Sequence, residues 1–195
     1  MVRMSVDQRR THARAVARQL LGSGTTAEKL TLRSVAEASG TPLATLTYAY
    51  RSVTDLLADL RAEFEAECAE NQRHVGGRGL RIELARMLDG YLDVIAQDRA
   101  NAEIVRWQML LIARGDIVLS AGLSMRACLR HIQEQSGEQW RLSVDELSTV
   151  TQAMVSGMHV QFLVRGADPV ALRAWREDAA SVVDAAVTLA QPTEG

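Results

Sequence analysis

The chain has 195 residues, enough to bury a good core in one or two domains, and its net charge of −2 argues against a uniformly basic nucleic-acid binder. Two cysteines, Cys68 and Cys128, stand too far apart for a C-x-x-C site and read as reduced, mostly buried thiols of a cytoplasmic protein. The charged N-terminal stretch lacks the apolar segment of a signal peptide, and the most apolar run, Ile104 to Ile112, is broken by Arg106 and Gln108 and too short to span a membrane, so no membrane association is expected.

Ala13, Val16, Ala17, Leu20 and Leu21 recur at helical spacing, which predicts a first amphipathic helix from about residue 7 to 21, ended by Gly22-Ser23-Gly24. Leu30 to Leu57 then reads LTLRSVAEASGTPLATLTYAYRSVTDLL. A short helix over Leu32 to Ala38 places Leu32, Val35 and Ala36 on one apolar face. Gly40 supplies a left-handed turn, and small Ala36, four residues earlier, lets the flanking helices approach. Thr41-Pro42 predicts an N-cap followed by proline at the first helical position, opening a helix that runs to about Tyr50 with Leu43, Leu46 and Tyr50 able to pack inward. Two short helices about a glycine turn make a helix-turn-helix, whose second helix enters the DNA major groove.

Ser52 to Asp55 is close to a capping box and opens a fourth helix, with Leu56, Leu57, Leu60, Phe64 and Cys68 on one side, running to near Arg73. Gly76-Gly77-Arg78-Gly79 is the best linker candidate. Further helices are predicted at about 80–97, 99–114, 116–136, 144–165 and 169–190. Asp116 and Asp168-Pro169 mark two of the starts and Ser143 to Glu146 a third. No strand alternation and no repeat is seen. The predicted architecture is all-α with about nine helices: an N-terminal helix-turn-helix domain over residues 1–55 and a C-terminal helical domain over 56–195.

Charge is divided the same way. Residues 1–51 hold eight Arg or Lys against three acids, and the rest of the chain is acidic. A basic head that meets phosphates and an acidic body that does not fit this asymmetry, although a solvated helix face would look similar.

The stretch from Leu30 to Leu57 resembles the TetR family of bacterial transcriptional regulators. It follows T-x-R-x-[IV]-A-x-x-[AS]-G and then T-[LI]-x-Y-x-[FY]-x-S-x-x-x-L-L through Thr31, Arg33, Val35, Ala36, Ser39, Gly40, Thr45, Leu46, Tyr48, Tyr50, Ser52, Leu56 and Leu57. The resemblance implies a homodimer whose two N-terminal domains grip successive major grooves of an inverted-repeat, double-stranded DNA operator, and a C-terminal domain that dimerises and binds a small-molecule effector. It implies a phosphate contact by Thr31 and the helix start behind it, and another by Tyr48. Thr41, Leu43, Ala44 and Thr45 would face base edges on the leading turn, with Thr47 joining them. Arg33 competes between a DNA contact and a solvated helix residue, and Tyr48 between a phosphate ligand and a core aromatic. Two departures stand out. Leu43 is apolar where many relatives carry a polar base-reader, which favours contact with a thymine methyl. Val53 removes a lysine common at the fourth helix, and Arg51, in a slot usually held by proline, could supply that charge.

In the C-terminal domain Trp107, Leu110, Leu111, Met125, Met154, Met158 and Phe162 are candidates to line an apolar effector cavity, with His131 and His159 as polar groups in it; core packing is the competing reading for each. Arg106 and Arg126 are further candidate anchors. Gly157, inside a predicted helix, suggests close helix contact of the kind a dimer seam uses. Leu147, Val150, Met154, Val155, Met158, Phe162 and Leu163 give that helix more apolar surface than one inward face needs, and with Leu172, Trp175, Val182, Val183, Ala186 and Leu189 of the last helix they are expected to form the seam of a four-helix bundle between two subunits. The histidines form no metal-ligand spacing, and no nucleophile motif or phosphate loop is present, so neither a metal, a cofactor nor an enzyme is expected. The expected function is an effector-responsive transcriptional regulator, a repressor released by an apolar or aromatic ligand; the alternative is a helical ligand carrier or interaction protein without DNA binding.

Overall fold

The computed structural model describes residues 5–72, 76–113, 121–165 and 169–192. Among these, nine helices occur and no strand: α1 Val6–Gly22, α2 Leu32–Ser39, α3 Leu43–Ala49, α4 Val53–Gln72, α5 Leu80–Gln97, α6 Arg99–Ala113, α7 Ala121–Ser136, α8 Val144–Val164 and α9 Pro169–Ala190. The all-α expectation holds. The predicted caps at Asp116 and Asp168 lie outside the described residues.

By its internal contacts the chain separates into two compact units, Met1–Glu67 with Ile95–Leu110, and Cys68–Val94 with Leu111–Gly195. The expected boundary at residues 55/56 falls inside the first unit, which also takes in most of α4 and α6.

In the first unit α1, α2 and α3 pack on one another. α1 starts at a capping box in which Gln8 N donates to Ser5 Oγ and Ser5 N to Gln8 Oε1. It buries Ala13, Ala17 and Leu21, one residue per turn. α2 buries Val35 and Ala36 and ends at Gly40, whose φ of 63° lies in the left-handed region. Thr41 N then donates back to Ala36 O at 3.1 Å, closing the turn. Leu46, Ala49 and Tyr50 complete the small core, while Leu43 stays 38% exposed and does not pack inward as the sequence suggested.

One cap is shifted. Leu46 N donates to Pro42 O, so Pro42, in extended geometry and with no side-chain cap, is the N-cap, and α3 starts at Leu43. Thr41 is therefore not the cap: the turn after Gly40 already uses its N–H, and the first helical carbonyl is that of Pro42. The next start follows expectation, with Asp55 N donating to Ser52 Oγ and Ser52 N to Asp55 Oδ2, both at 3.1 Å.

In the second unit α8 packs against α7 and α9. Its capping box forms as the sequence predicts, Glu146 N donating to Ser143 Oγ and Ser143 N to Glu146 Oε2. The glycine-rich segment expected to be a linker is instead tied into this unit. Arg78 Nε donates to the buried Glu83 at 2.8 Å, and Leu80 N to Glu138 Oε2 at 3.0 Å. Gly77 lies so close to Gln135 that a Cβ there would meet its carbonyl oxygen at 2.7 Å, a contact no side chain survives.

Candidate nucleic-acid interface and aromatic cluster

The first unit presents an outward face built from α2 and α3. Thr31 caps α2: its Oγ1 accepts from Ser34 N at 3.0 Å, and Ser34 Oγ accepts from Thr31 N at 3.1 Å. The expected phosphate-contacting hydroxyl thus already holds the helix start, with its hydrogen shared with Ser34 Oγ at 3.2 Å. The amides of the first turn behind it have no intrahelical acceptor, the usual state of a helix start.

On α3, Leu43, Ala44, Thr47 and Tyr48 are exposed, whereas Thr45 and, just ahead of the helix, Thr41 are half-buried. Tyr48 is 79% exposed. An aromatic ring so placed contributes nothing to the core of its own unit, which removes the core reading of this residue. Thr47 donates its hydroxyl to Ala44 O at 3.0 Å, so toward solvent it offers a methyl and lone pairs. The face is therefore mostly apolar and small.

Charge is apportioned between framework and surface. Arg10 donates to Ala49 O at 3.2 Å and lies 5.3 Å from the Tyr50 ring centre. Arg14 pairs with Asp59 at 3.5 Å and with Glu63. Tyr50 donates to Asp59 Oδ2 at 2.8 Å; burial and that carboxylate push its phenol up to about 12, so it remains a donor. Arg18 reaches Asn101 at 3.0 Å and Asp98 at 3.4 Å, and Arg106 pairs with Glu28 and Glu103. These arginines fix α1, the end of α3, α4 and α6 to one another. By contrast Arg33, Arg51 and Lys29 are exposed and have no ion pair among the described residues. The sequence did not single out Lys29; its lone positive charge just before the Thr31 cap was the available signal.

The candidate effector residues divide between the units. Trp107, buried, and Leu110, half-buried, belong to the first. In the second, Met125, Met158, His159 and Phe162 are buried, Leu111 and Met154 half-buried, and His131 exposed on α7. Neither candidate arginine is a free anchor, since Arg106 holds Glu28 and Arg126 pairs with Asp145 at 3.0 Å.

What the second unit brings together is an aromatic cluster across α5, α8 and α9. Phe162 stacks on Trp175 at 4.4 Å between ring centres, and His159 meets Trp175 edge-on at 5.0 Å. Tyr91 meets both edge-on, at 5.4 Å from His159 and 6.2 Å from Trp175. His159 Nδ1 lies 2.7 Å from Val155 O, which can only accept, so Nδ1 carries the hydrogen and Nε2 accepts from Tyr91 Oη at 2.7 Å. Burial pushes the His159 imidazole down to about 4, against a smaller opposing effect of the Val155 carbonyl. Of these four residues the sequence named only His159 and Phe162 as ligand candidates. Tyr91 carried no signal, and Trp175 read as a dimer-seam residue.

No family model and no curated protein matches the sequence. Solved structures match its fold. A protein described as a transcriptional regulator from Saccharomonospora viridis, in complex with choline, superposes with a TM-score of 0.65 at 19% identity, covering 91% of this chain and 96% of that one. A TetR-family transcriptional regulator from Rhodococcus sp. gives 0.63 at 18% identity, covering 96% and 100%. One from Shewanella sp. PV-4 gives 0.62 at 12%, covering 94% and 99%. The chain has the fold of the TetR-family transcriptional regulators, helix-turn-helix unit and helical second unit included.

Proposed function

We propose that this chain is a dimeric, effector-responsive DNA-binding regulator of the TetR type, acting as a repressor in the cytoplasm. Its α2–α3 face is taken to grip one half of an inverted-repeat operator. The observation that carries the reading is the outward face itself: an aromatic 79% exposed on the second helix of a helix-turn-helix, with exposed Arg33, Arg51 and Lys29 that have no ion pair among the described residues. Phosphate contacts would fall to Tyr48, Arg33, Arg51, Lys29 and the start of α2 at Thr31. Base edges would fall to Leu43, Ala44 and Thr47, with half-buried Thr41 and Thr45 at the margin. With so few donors, sequence readout would lean on thymine methyl groups and on DNA shape. A ligand carrier has no use for such a face.

Dimerisation is proposed through α8, on an outward stripe that keeps Val150 and Gly157 from the seam the sequence suggested and replaces the rest. Leu147, Val155, Met158 and Phe162 are buried within their own unit, as are Trp175, Val182, Val183 and Ala186 of α9. The surplus apolar surface is Val150, Ala153, Gly157, Val160 and Val164, all exposed and spaced three and four residues apart. A Cβ on Gly157 would meet nothing within 4 Å, so the close contact inferred for it is not made among the described residues. A second copy on this stripe would bury it and bring two helix-turn-helix units into one assembly.

The effector is proposed to be a small apolar or aromatic molecule held in the second unit. The choline in the Saccharomonospora viridis structure belongs to that protein, and only the capacity of the fold to hold a small molecule is taken from it. An effector releases DNA to the extent that it prefers the state that does not fit the operator. Selection of bound duplexes from a random pool tests the whole reading. The expected result is an inverted repeat with half-sites about 34–36 Å apart. Failure to enrich any duplex, or enrichment of a single unpaired half-site by a monomer in sedimentation, would overturn it.

A further inference from the structure

We propose that the aromatic cluster of the second unit is the contact surface for a neutral effector with an apolar or aromatic body and a hydrogen-bond acceptor that takes the Trp175 indole N–H. This rests on the effector-responsive reading above and gives it a site and a chemistry. Trp175 is 1% exposed, and its Nε1 finds no acceptor among the described residues. Buried donors are almost always paired, because leaving one unpaired forfeits its hydration with no return. The polar contacts around it are already committed, Nδ1 of His159 to Val155 O and Nε2 to the Tyr91 hydroxyl. The indole N–H is the donor left over.

A second orphan lies on the face of α8 that carries His159. Thr151 Oγ1 is fully buried and also lacks a partner among the described residues. Thr151, Val155 and His159 recur every four residues, so they share the inward face of that helix.

The charge of the ligand follows from what surrounds the cluster. Its own residues carry no charge, because the buried imidazole is neutral. The nearest charge in sequence, Arg176, is exposed and already paired with Asp93, so it offers a buried anion no free partner against the cost of desolvation. A cation would need open ring faces, but the stacking of Phe162 on Trp175 covers one face of each, and Tyr91 and His159 meet Trp175 edge-on. Tyr91, the half-buried ring of the four, is where the cluster meets solvent.

The test uses the full-length protein and four probes of similar size: acetophenone, its hydrocarbon analogue α-methylstyrene, benzoate and trimethylphenylammonium. Melting temperature reports binding, and the three indole N–H resonances of the ¹⁵N-labelled protein report contact. Trp107→Phe and Trp140→Phe assign the Trp175 signal by elimination, so the result does not depend on Trp175→Phe folding. Acetophenone should raise the melting temperature, move the Trp175 indole signal downfield, and bind about fivefold more tightly than α-methylstyrene. Where Trp175→Phe folds, it should erase that preference. Equal binding of ketone and hydrocarbon, a preference for either ion, binding that leaves the Trp175 signal in place, or no binding by any probe up to its solubility would each overturn the proposal. The two readings fail separately. An operator released by compounds that do not move Trp175 overturns this site and leaves the regulator standing. A Trp175 response in a protein that holds no DNA does the reverse.

Discussion

The helix-turn-helix and the aromatic cluster are built in opposite ways. From Thr31 to Asp55 the decisive contacts are local: Thr31 with Ser34, Thr41 with Ala36 and Ser52 with Asp55. The cluster joins Tyr91, His159 and Trp175 from three helices, its central hydrogen bond spanning 68 residues. Local chemistry thus sets the starts of α2 and α4 and the turn between α2 and α3, whereas the cluster exists only through packing. Substitutions on the exposed α3 face should therefore change binding with little effect on stability. Those in the cluster should change stability first.

The largest effect is expected at Trp175. Trp175→Ala removes a fully buried indole and its contacts with His159, Tyr91 and Phe162, and should cost about 3–5 kcal/mol in urea denaturation. A loss below about 1 kcal/mol would mean that the cluster is peripheral to the second unit.

Acid should expose the same region next. The His159 imidazole is pushed down to about 4 by burial, from an ordinary value of 6.5. Between these values the unfolded chain binds a proton that the folded one refuses, so stability rises with pH across this window. It is fully present above about pH 6.5 and falls as pH drops toward 4, by about 3 kcal/mol from this group. The difference between wild type and His159→Gln, followed by thermal unfolding from pH 7 to 4, isolates the contribution. Parallel curves would show that His159 is not held neutral.

A smaller effect is expected in the helix-turn-helix at Gly40. Its φ of 63° favours glycine, while a Cβ added there would meet nothing within 4 Å, so Gly40→Val should cost about 1–2 kcal/mol through backbone strain alone. A neutral result would show that the turn relaxes to another geometry.

The same contrast explains what could be read in the sequence. Helix periodicity, the capping pairs at Ser52 and Ser143, and the glycine turn at Gly40 are signals within a few residues, and the structure follows them. The Thr41 cap missed by one position because proline fits both at N-cap and just inside a helix, and only the Leu46 N–H to Pro42 bond decides between them. Gly76 to Gly79 looks like a linker in sequence, but its anchors, Glu83 and Glu138, are invisible until the chain has folded. The two faces of α8 both read as apolar, so periodicity alone could not separate the inward Met158 and Phe162 from the outward Val160 and Val164. Tyr91 entered no reading, because nothing next to it in sequence marks a partner 68 residues away.

Binding of the selected operator by Tyr48→Phe, measured beside wild type, tests the central claim most directly. Tyr48 is 79% exposed, so its hydroxyl has no structural task to lose in this unit. The account predicts about a tenfold loss of affinity per half-site for any duplex, as expected for one charge-assisted hydrogen bond to phosphate from each subunit, with an unchanged melting temperature. Unchanged affinity, or a loss that tracks a fall in stability, would contradict it.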